Sequence, residues 1–245
     1  MKQFAIALVY SLVGLTFLFA TFASINETGT DNKKSADEFQ ITKPLSFTSE
    51  TTISTEMEVS ADDIQTMRQK VNFAQSVLEE FWNNEFAGNG IRFRSPNVRI
   101  FEGATNSACG SMSTANYCSY DHTIYLNSYF LYSQMEMVSR RLGSDGDMAA
   151  IVIIGHEYGH SVQAQVPLFR GYLELNADCM AGAFTRYSGQ KGVLDSDDIP
   201  EARYGLYMNP EYSVYWNRHS HGTSQERVAA FDIGLFYGTA RCTER

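Results

Sequence analysis

Two histidines, His156 and His160, stand four positions apart in a segment whose neighbours are mostly apolar. On a helix, side chains four residues apart lie one above the other, so both imidazoles can reach a single metal ion. Glu157 follows His156 directly, which would put its carboxylate beside a water molecule bound to the same ion. This H-E-x-x-H pattern is typical of zinc-dependent hydrolysis in which the glutamate is the general base.

The residues around the pattern, 148–162, predict a buried helix because apolar side chains occur on all of its faces. Two imidazoles and a carboxylate buried in such surroundings need polar partners. Two unrelated histidines on a core helix would lack these partners, whereas a metal ion supplies them. We therefore expect His156 and His160 to bind one Zn²⁺ ion.

A second segment, from Gly171 to Gly182, offers the third protein ligand that a catalytic zinc site requires. Glu174 and Asp178 are four residues apart and share one face of a predicted helix. We expect Glu174 to bind the metal and Asp178 to accept a hydrogen bond from the far ring nitrogen of a ligand histidine. The alternatives are a solvated acidic stripe on this helix, or coordination by Cys179, which is rotated away from that face.

Several separated motifs together resemble those of the bacterial neutral zinc metallopeptidase family. They are Ala108–Ser111, Tyr117–Cys118, Thr123–Asn127, His156–His160, Glu174–Gly182 and His221–Ser224 with Arg227. Their order along the chain also resembles the family, and the similarity runs from about Cys109 to about Gly238. The resemblance implies an α+β fold, namely a predominantly helical zincin-like metallopeptidase domain with a small antiparallel sheet beside the H-E-x-x-H helix. It also implies that Glu174 is the third ligand.

His221 matches one of these family motifs and is our candidate for a second catalytic residue, an electrophile that stabilises charge on the substrate carbonyl oxygen. Thr223 and Glu226 form a capping-box pattern, which predicts the start of a helix directly after His221. His221 could therefore simply pack at the entry of this helix, and Arg227 could be the polar residue that matters. The residues alone leave both readings open.

The predicted function is that of a zinc metalloendopeptidase whose partner is a peptide or protein substrate. One alternative is a zinc-binding, proteolytically weak or inactive module that binds peptides. Another is a metallohydrolase for a different amide or ester bond, because the same zinc and water chemistry serves those bonds. The presence of the general base Glu157 together with a full ligand set favours the enzyme.

Composition and charge divide the chain into three parts. Residues 1–23 read as a signal peptide, or as an uncleaved membrane anchor formed by the apolar residues 4–23. Residues 24–58 are a flexible polar linker, and residues 59–245 form one domain. We expect export across the cytoplasmic membrane, to the periplasm or beyond. The formal net charge of −9 argues against binding to nucleic acid, and any membrane contact is expected only through the N-terminal segment.

The cysteines fit an exported protein, because disulfides form in oxidising compartments. Cys109 and Cys118 flank a short loop and are expected to pair. Cys179 and Cys242 are candidates for a second bridge, a pairing that the sequence alone does not fix. The chain has no C-x-x-C pair, which argues against a structural zinc site built from cysteines.

Periodicity predicts the elements that must position these residues. Helices are expected over residues 61–84, 128–142, 147–165, 170–187, 198–207 and 223–237. Two alternating segments, Val98–Phe101 and Thr123–Asn127, predict strands of a small antiparallel sheet. By analogy with zincin architecture, we expect the strand at Thr123–Leu126 to receive the extended backbone of a substrate.

Overall fold

The structure, a computed structural model, describes residues 59–166, 173–209 and 220–242. The predicted leader and linker lie outside these ranges, so their boundaries stay predictions. Within the described ranges, none of the helices is both long and apolar enough to cross a membrane.

The described residues form an α+β domain that is mostly helical, which confirms the predicted fold class. The helices are α1 (Ala61–Gly88), α2 (Ser128–Leu142), α3 (Asp147–Gln165), α4 (Leu173–Gln190), α5 (Asp198–Tyr207) and α6 (Ser224–Tyr237). The strands are β1 (Asn97–Phe101), β2 (Thr105–Ser107), β3 (Gly110–Met112), β4 (Ala115–Cys118) and β5 (Thr123–Asn127). A short 3₁₀ turn, Thr239–Arg241, follows α6.

The main sheet is mixed, with strand order β1-β5-β4. β1 and β5 run parallel, so the expected antiparallel pairing of these two strands is wrong. Only β4 pairs antiparallel with β5, and β2 and β3 form a separate antiparallel hairpin. Because β5 is bonded on both sides and all five of its residues are buried, it has no open edge for a substrate. The expectation that Thr123–Leu126 receives the substrate is therefore also wrong.

Helix α3 lies at the centre of the domain, in contact with α1, α2, α4, α5 and the sheet. The carboxylate of Glu201 in α5 caps its N-terminus by accepting the N–H groups of Gly146 and Met148, at 2.8 and 3.0 Å. A negative charge at a helix N-terminus is stabilising, because the helix dipole is positive there. On the next helix, Ala177 packs against Gly159, where a Cβ would lie 2.9 Å from the Ala177 Cα. The missing side chain lets α3 and α4 approach closely.

Helix α6 crosses α4 with direct backbone contact. A Cβ on Gly182 would lie 2.8 Å from the carbonyl carbon of Phe231, and one on Gly234 would lie 2.7 Å from the nitrogen of Ala183. Real Cβ atoms essentially never come within 3.0 Å of such atoms, so both positions need glycine. A disulfide between Cys179 and Cys242 joins the end of the described chain to α4. The crossing therefore fixes α6 against the helix that carries Glu174 and Asp178.

Candidate metal centre

The structure brings His156, His160 and Glu174 together at the interface of α3 and α4. The two Nε2 atoms of the histidines are 3.0 Å apart. Glu174 Oε2 lies 3.2 Å from His156 Nε2 and 3.1 Å from His160 Nε2. Helical spacing accounts for the histidine pair, and the first turn of α4 brings the carboxylate from the neighbouring helix. His156 and Glu174 are buried, with 3% and 8% of their surface exposed.

The far nitrogen of each histidine has its own acceptor. His156 Nδ1 lies 2.8 Å from Asp178 Oδ1, and His160 Nδ1 lies 2.9 Å from Gln163 Oε1. Because Gln163 donates through its amide nitrogen to the carbonyl oxygen of Leu173, its oxygen faces the imidazole. Both Nδ1 atoms therefore carry the proton, and both Nε2 lone pairs point towards Glu174.

This donor set fits a zinc ion. Two imidazole lone pairs and one carboxylate oxygen converge within 4.8 Å of one another, an arrangement that repels itself unless a cation lies between the donors. Tetrahedral zinc with bonds of about 2.0 to 2.1 Å separates its ligands by roughly 3.3 Å, close to the spacing of these donors. Three protein ligands would leave a fourth position for water, as in catalytic zinc sites.

The charges around the centre also favour a cation. Burial by itself would lower the pKa of His156, but the carboxylates of Asp178, Glu174 and Glu157 outweigh it and raise this pKa to about 10. Burial would raise the pKa of Glu174, yet its contacts with His156 and His160, once these imidazoles carry a positive charge, hold it far below its ordinary value. The surroundings thus stabilise a positive charge between the three donors, which a proton or a metal ion can provide.

Glu157 lies beside the centre and is 7% exposed. Its Oε2 accepts the backbone N–H of Tyr117 at 2.7 Å, so a residue of β4 holds the carboxylate. Sequence reasoning missed this contact, since nothing in the sequence predicted a strand at residues 115–118.

His221 lies at the open side of the centre, where 39% of its side chain is exposed. Its Nε2 is 3.1 Å from Glu174 Oε2, and its ring stacks on His156 with centroids 5.6 Å apart. The capping box of Thr223 and Glu226 is present as well, so the helix start and the site share this segment. The structure brings His221 to the centre, and its catalytic role stays a prediction.

The structure contradicts both alternatives for α4, the solvated acidic stripe and coordination by Cys179. Glu174 and Asp178 are buried, with 8% and 0% exposure, so they do not form a solvated stripe. Cys179 is bonded to Cys242, with an S–S distance of 2.06 Å, and therefore offers no thiolate to a metal. Gln163 was not foreseen as a partner of His160. Its position three residues later on the same helical face was the signal that could have found it.

A family described as "Putative neutral zinc metallopeptidase" matches residues 36–171, which is more than half of the chain. The matched range contains the complete His156–His160 pentapeptide. The chain belongs to this family. The match begins well before Cys109, where the motif resemblance starts, and ends before Glu174. The third ligand candidate is thus supported by the geometry of the centre rather than by the family match.

Among curated proteins, the chain is similar to the uncharacterized protein YpfJ of Escherichia coli K12. The two are 31% identical over 197 residues, which cover 68% of this chain and 67% of the relative. The uncharacterized protein Rv2575 of Mycobacterium tuberculosis is 31% identical over 112 residues, covering 39% of this chain and 37% of that protein. No solved structure matches the chain significantly.

The four cysteines form two disulfides, and none is free. The predicted pair, Cys109 and Cys118, is joined at the end of β4, and the second bridge links Cys179 to Cys242. Paired cysteines of this kind are typical of proteins that mature in an oxidising, extracytoplasmic compartment.

Proposed function

We propose that the protein is an exported zinc metalloendopeptidase that hydrolyses peptide bonds with Glu157 as general base. The observation that carries this proposal is the convergence of His156, His160 and Glu174, with the Glu157 carboxylate held beside them. Membership of a zinc metallopeptidase family and the two disulfides agree with it.

In the proposed mechanism, His156, His160 and Glu174 hold zinc. When bound, the ion activates water and polarises the scissile carbonyl group. Glu157 takes a proton from the attacking water and passes it to the leaving amine. The N–H of Tyr117 fixes the carboxylate for this transfer. His221, at the open side, donates a hydrogen bond to the carbonyl oxygen as that oxygen gains negative charge.

The strand that suits an extended substrate is β4. One of its edges pairs with β5, and its other edge carries the N–H of Tyr117 that reaches Glu157. A peptide that adds to this outer edge would run past the general base. We therefore propose peptides or proteins as substrates. We also propose that the acidic chain has no nucleic-acid partner and that it touches a membrane only through its N-terminal segment.

Cleavage of a mixed peptide library tests this function. Wild type, Glu157→Gln and a control, Glu136→Gln, are loaded with zinc, and their metal content is measured. Glu136 lies on α2, where it pairs with Arg140 rather than with the centre. Loss of a general base should lower the rate by about 10² to 10⁴ while zinc is kept, and the control should cleave like wild type.

Turnover by Glu157→Gln at the wild-type rate would show that Glu157 is not the base. Zinc binding without cleavage by the wild type would favour a peptide-binding module or a different scissile bond.

A further inference from the structure

The carboxylate of Asp178 is held by more than the histidine that it orients. Arg227 Nε donates to Asp178 Oδ2 at 2.9 Å, and Arg227 Nη2 donates to Asp178 Oδ1 at 2.8 Å. The same Oδ1 accepts the hydrogen bond from His156 Nδ1. A bidentate pair of this kind fixes the plane of the carboxylate, which a single hydrogen bond does not.

Arg227 is itself fixed in place. It is 6% exposed, and its third donor, Nη1, reaches the carbonyl oxygen of Asn209 at 2.6 Å. Burying two opposite charges carries a large desolvation cost, and an apolar pair of similar size often stabilises the fold equally well. The pair of Arg227 and Asp178 is therefore better explained by a role at the metal centre than by a contribution to the stability of the fold.

The crossing of α4 and α6 places Arg227 beside Asp178. Arg227 lies seven residues before Gly234 on α6, so both residues face α4. The bare backbone at Gly234 meets the backbone of Cys179, the residue next to Asp178. Close approach of the two helices thus brings the guanidinium onto the carboxylate. His160, in contrast, is oriented within its own helix by the neutral side chain of Gln163.

We infer that Arg227 is a positioning residue for the metal centre: it holds the Asp178 carboxylate, which in turn holds His156 in the orientation that binds zinc. The inference rests on the proposed zinc site. It also implies that the position of α6 against α4 affects zinc affinity. Neither the family match, which ends at residue 171, nor the ligand spacing assigns this role.

A double-mutant cycle on zinc affinity tests the inference. The affinity is measured by competition with a chelator for wild type, Arg227→Met, Asp178→Asn and the double variant. Each single change should weaken zinc binding by about 10- to 100-fold, the range for partners of ligand histidines. The double variant should bind no more weakly than the weaker single variant, because Arg227 acts through Asp178.

Two further variants separate positioning from folding. Arg227→Lys keeps the charge but loses the bidentate contact, so its affinity should lie between those of wild type and Arg227→Met. Arg140→Met removes an ion pair that does not involve α6, Arg140 Nε to Glu136 Oε1 at 2.6 Å within α2, and should leave zinc affinity unchanged. If Arg227→Met fails to fold, the zinc affinity of Arg227→Lys tests the inference instead.

Wild-type affinity in Arg227→Met, or in Arg227→Lys where only that variant folds, would overturn the inference. So would losses that multiply in the double variant, because Arg227 would then act independently of Asp178. A wild-type protein that binds no zinc would contradict the proposed function itself, a result distinct from unchanged affinity in a variant.

Discussion

Replacing Gly182 with alanine would place a methyl group against the backbone of α6. The new Cβ would lie 2.8 Å from the carbonyl carbon of Phe231 and 2.9 Å from the nitrogen of Leu235, and closer still to the Phe231 oxygen. Ordinary contacts begin at 3.4 Å, so α6 would have to move away by at least about 0.6 Å, and further to clear the oxygen. Neither neighbour is a flexible side chain that could rotate aside.

Overpacking of this kind costs about 1 to 3 kcal/mol and occasionally more. We expect the upper end, about 3 kcal/mol, because the obstacle is helix backbone. In a domain of this size, each kcal/mol lowers Tm by about 2 to 4 °C, so the variant should melt about 6 to 12 °C below wild type. Moving α6 also draws Arg227 away from Asp178, so zinc affinity should fall together with stability.

Gly189→Ala provides the matched control on the same helix. A Cβ there would meet only Leu194 Cδ1, at 3.5 Å, which is an ordinary contact. This variant should be as stable as wild type or up to about 1 kcal/mol more stable, because alanine favours helix over glycine. Thermal unfolding of zinc-free protein, followed by circular dichroism, makes the comparison. Equal Tm values for Gly182→Ala and Gly189→Ala would refute the claim that α4 and α6 meet by their backbones.

Three other predictions concern the ligand set, a buried carboxyl group and a disulfide. Glu174→Ala should abolish zinc binding, whereas Asp178→Ala should weaken it by about 10- to 100-fold; the reverse order in metal titrations would mean that the ligand assignment is wrong. Burial raises the pKa of Asp198 from 3.8 to about 7, so ionisation of this carboxyl group favours the unfolded chain. Its contribution to the free energy of unfolding is present at pH 4 and is lost as the pH rises towards 7. Asp198→Asn should therefore be more stable than wild type at pH 8, by about 1 to 3 kcal/mol in denaturant unfolding, but not at pH 4; an equal difference at both pH values would contradict this. Replacing Cys109 and Cys118 together with serine should lower the free energy of unfolding by about 2 to 3 kcal/mol, and free thiols in non-reducing mass mapping of the wild type would disprove the bridge.

The local part of this fold could be predicted from sequence. Helical spacing places His156 above His160 and Glu174 above Asp178, because both pairs depend only on the period of one helix. The cap at Thr223 likewise depends on a residue three positions away, Glu226, and this capping box forms.

The rest depends on contacts between residues far apart in the chain. The direction of β1 relative to β5 depends on pairing between two segments that are distant in the chain, and β4 packs against α3; no local period encodes either contact. Arg227 and Asp178 are 49 positions apart, and their meeting depends on two glycines whose role is visible only in the helix crossing. Sequence reasoning offered Arg227 only as an alternative to His221, and the structure places both residues at the centre.

X-ray absorption at the zinc edge, on wild-type protein loaded with one equivalent of zinc, tests the metal centre most directly. Ligation by His156, His160 and Glu174 predicts a first shell of nitrogen and oxygen only, at about 2.0 to 2.1 Å, with the outer-shell signature of two imidazoles. A sulfur shell near about 2.3 Å, or protein that retains no zinc, would contradict this ligand set.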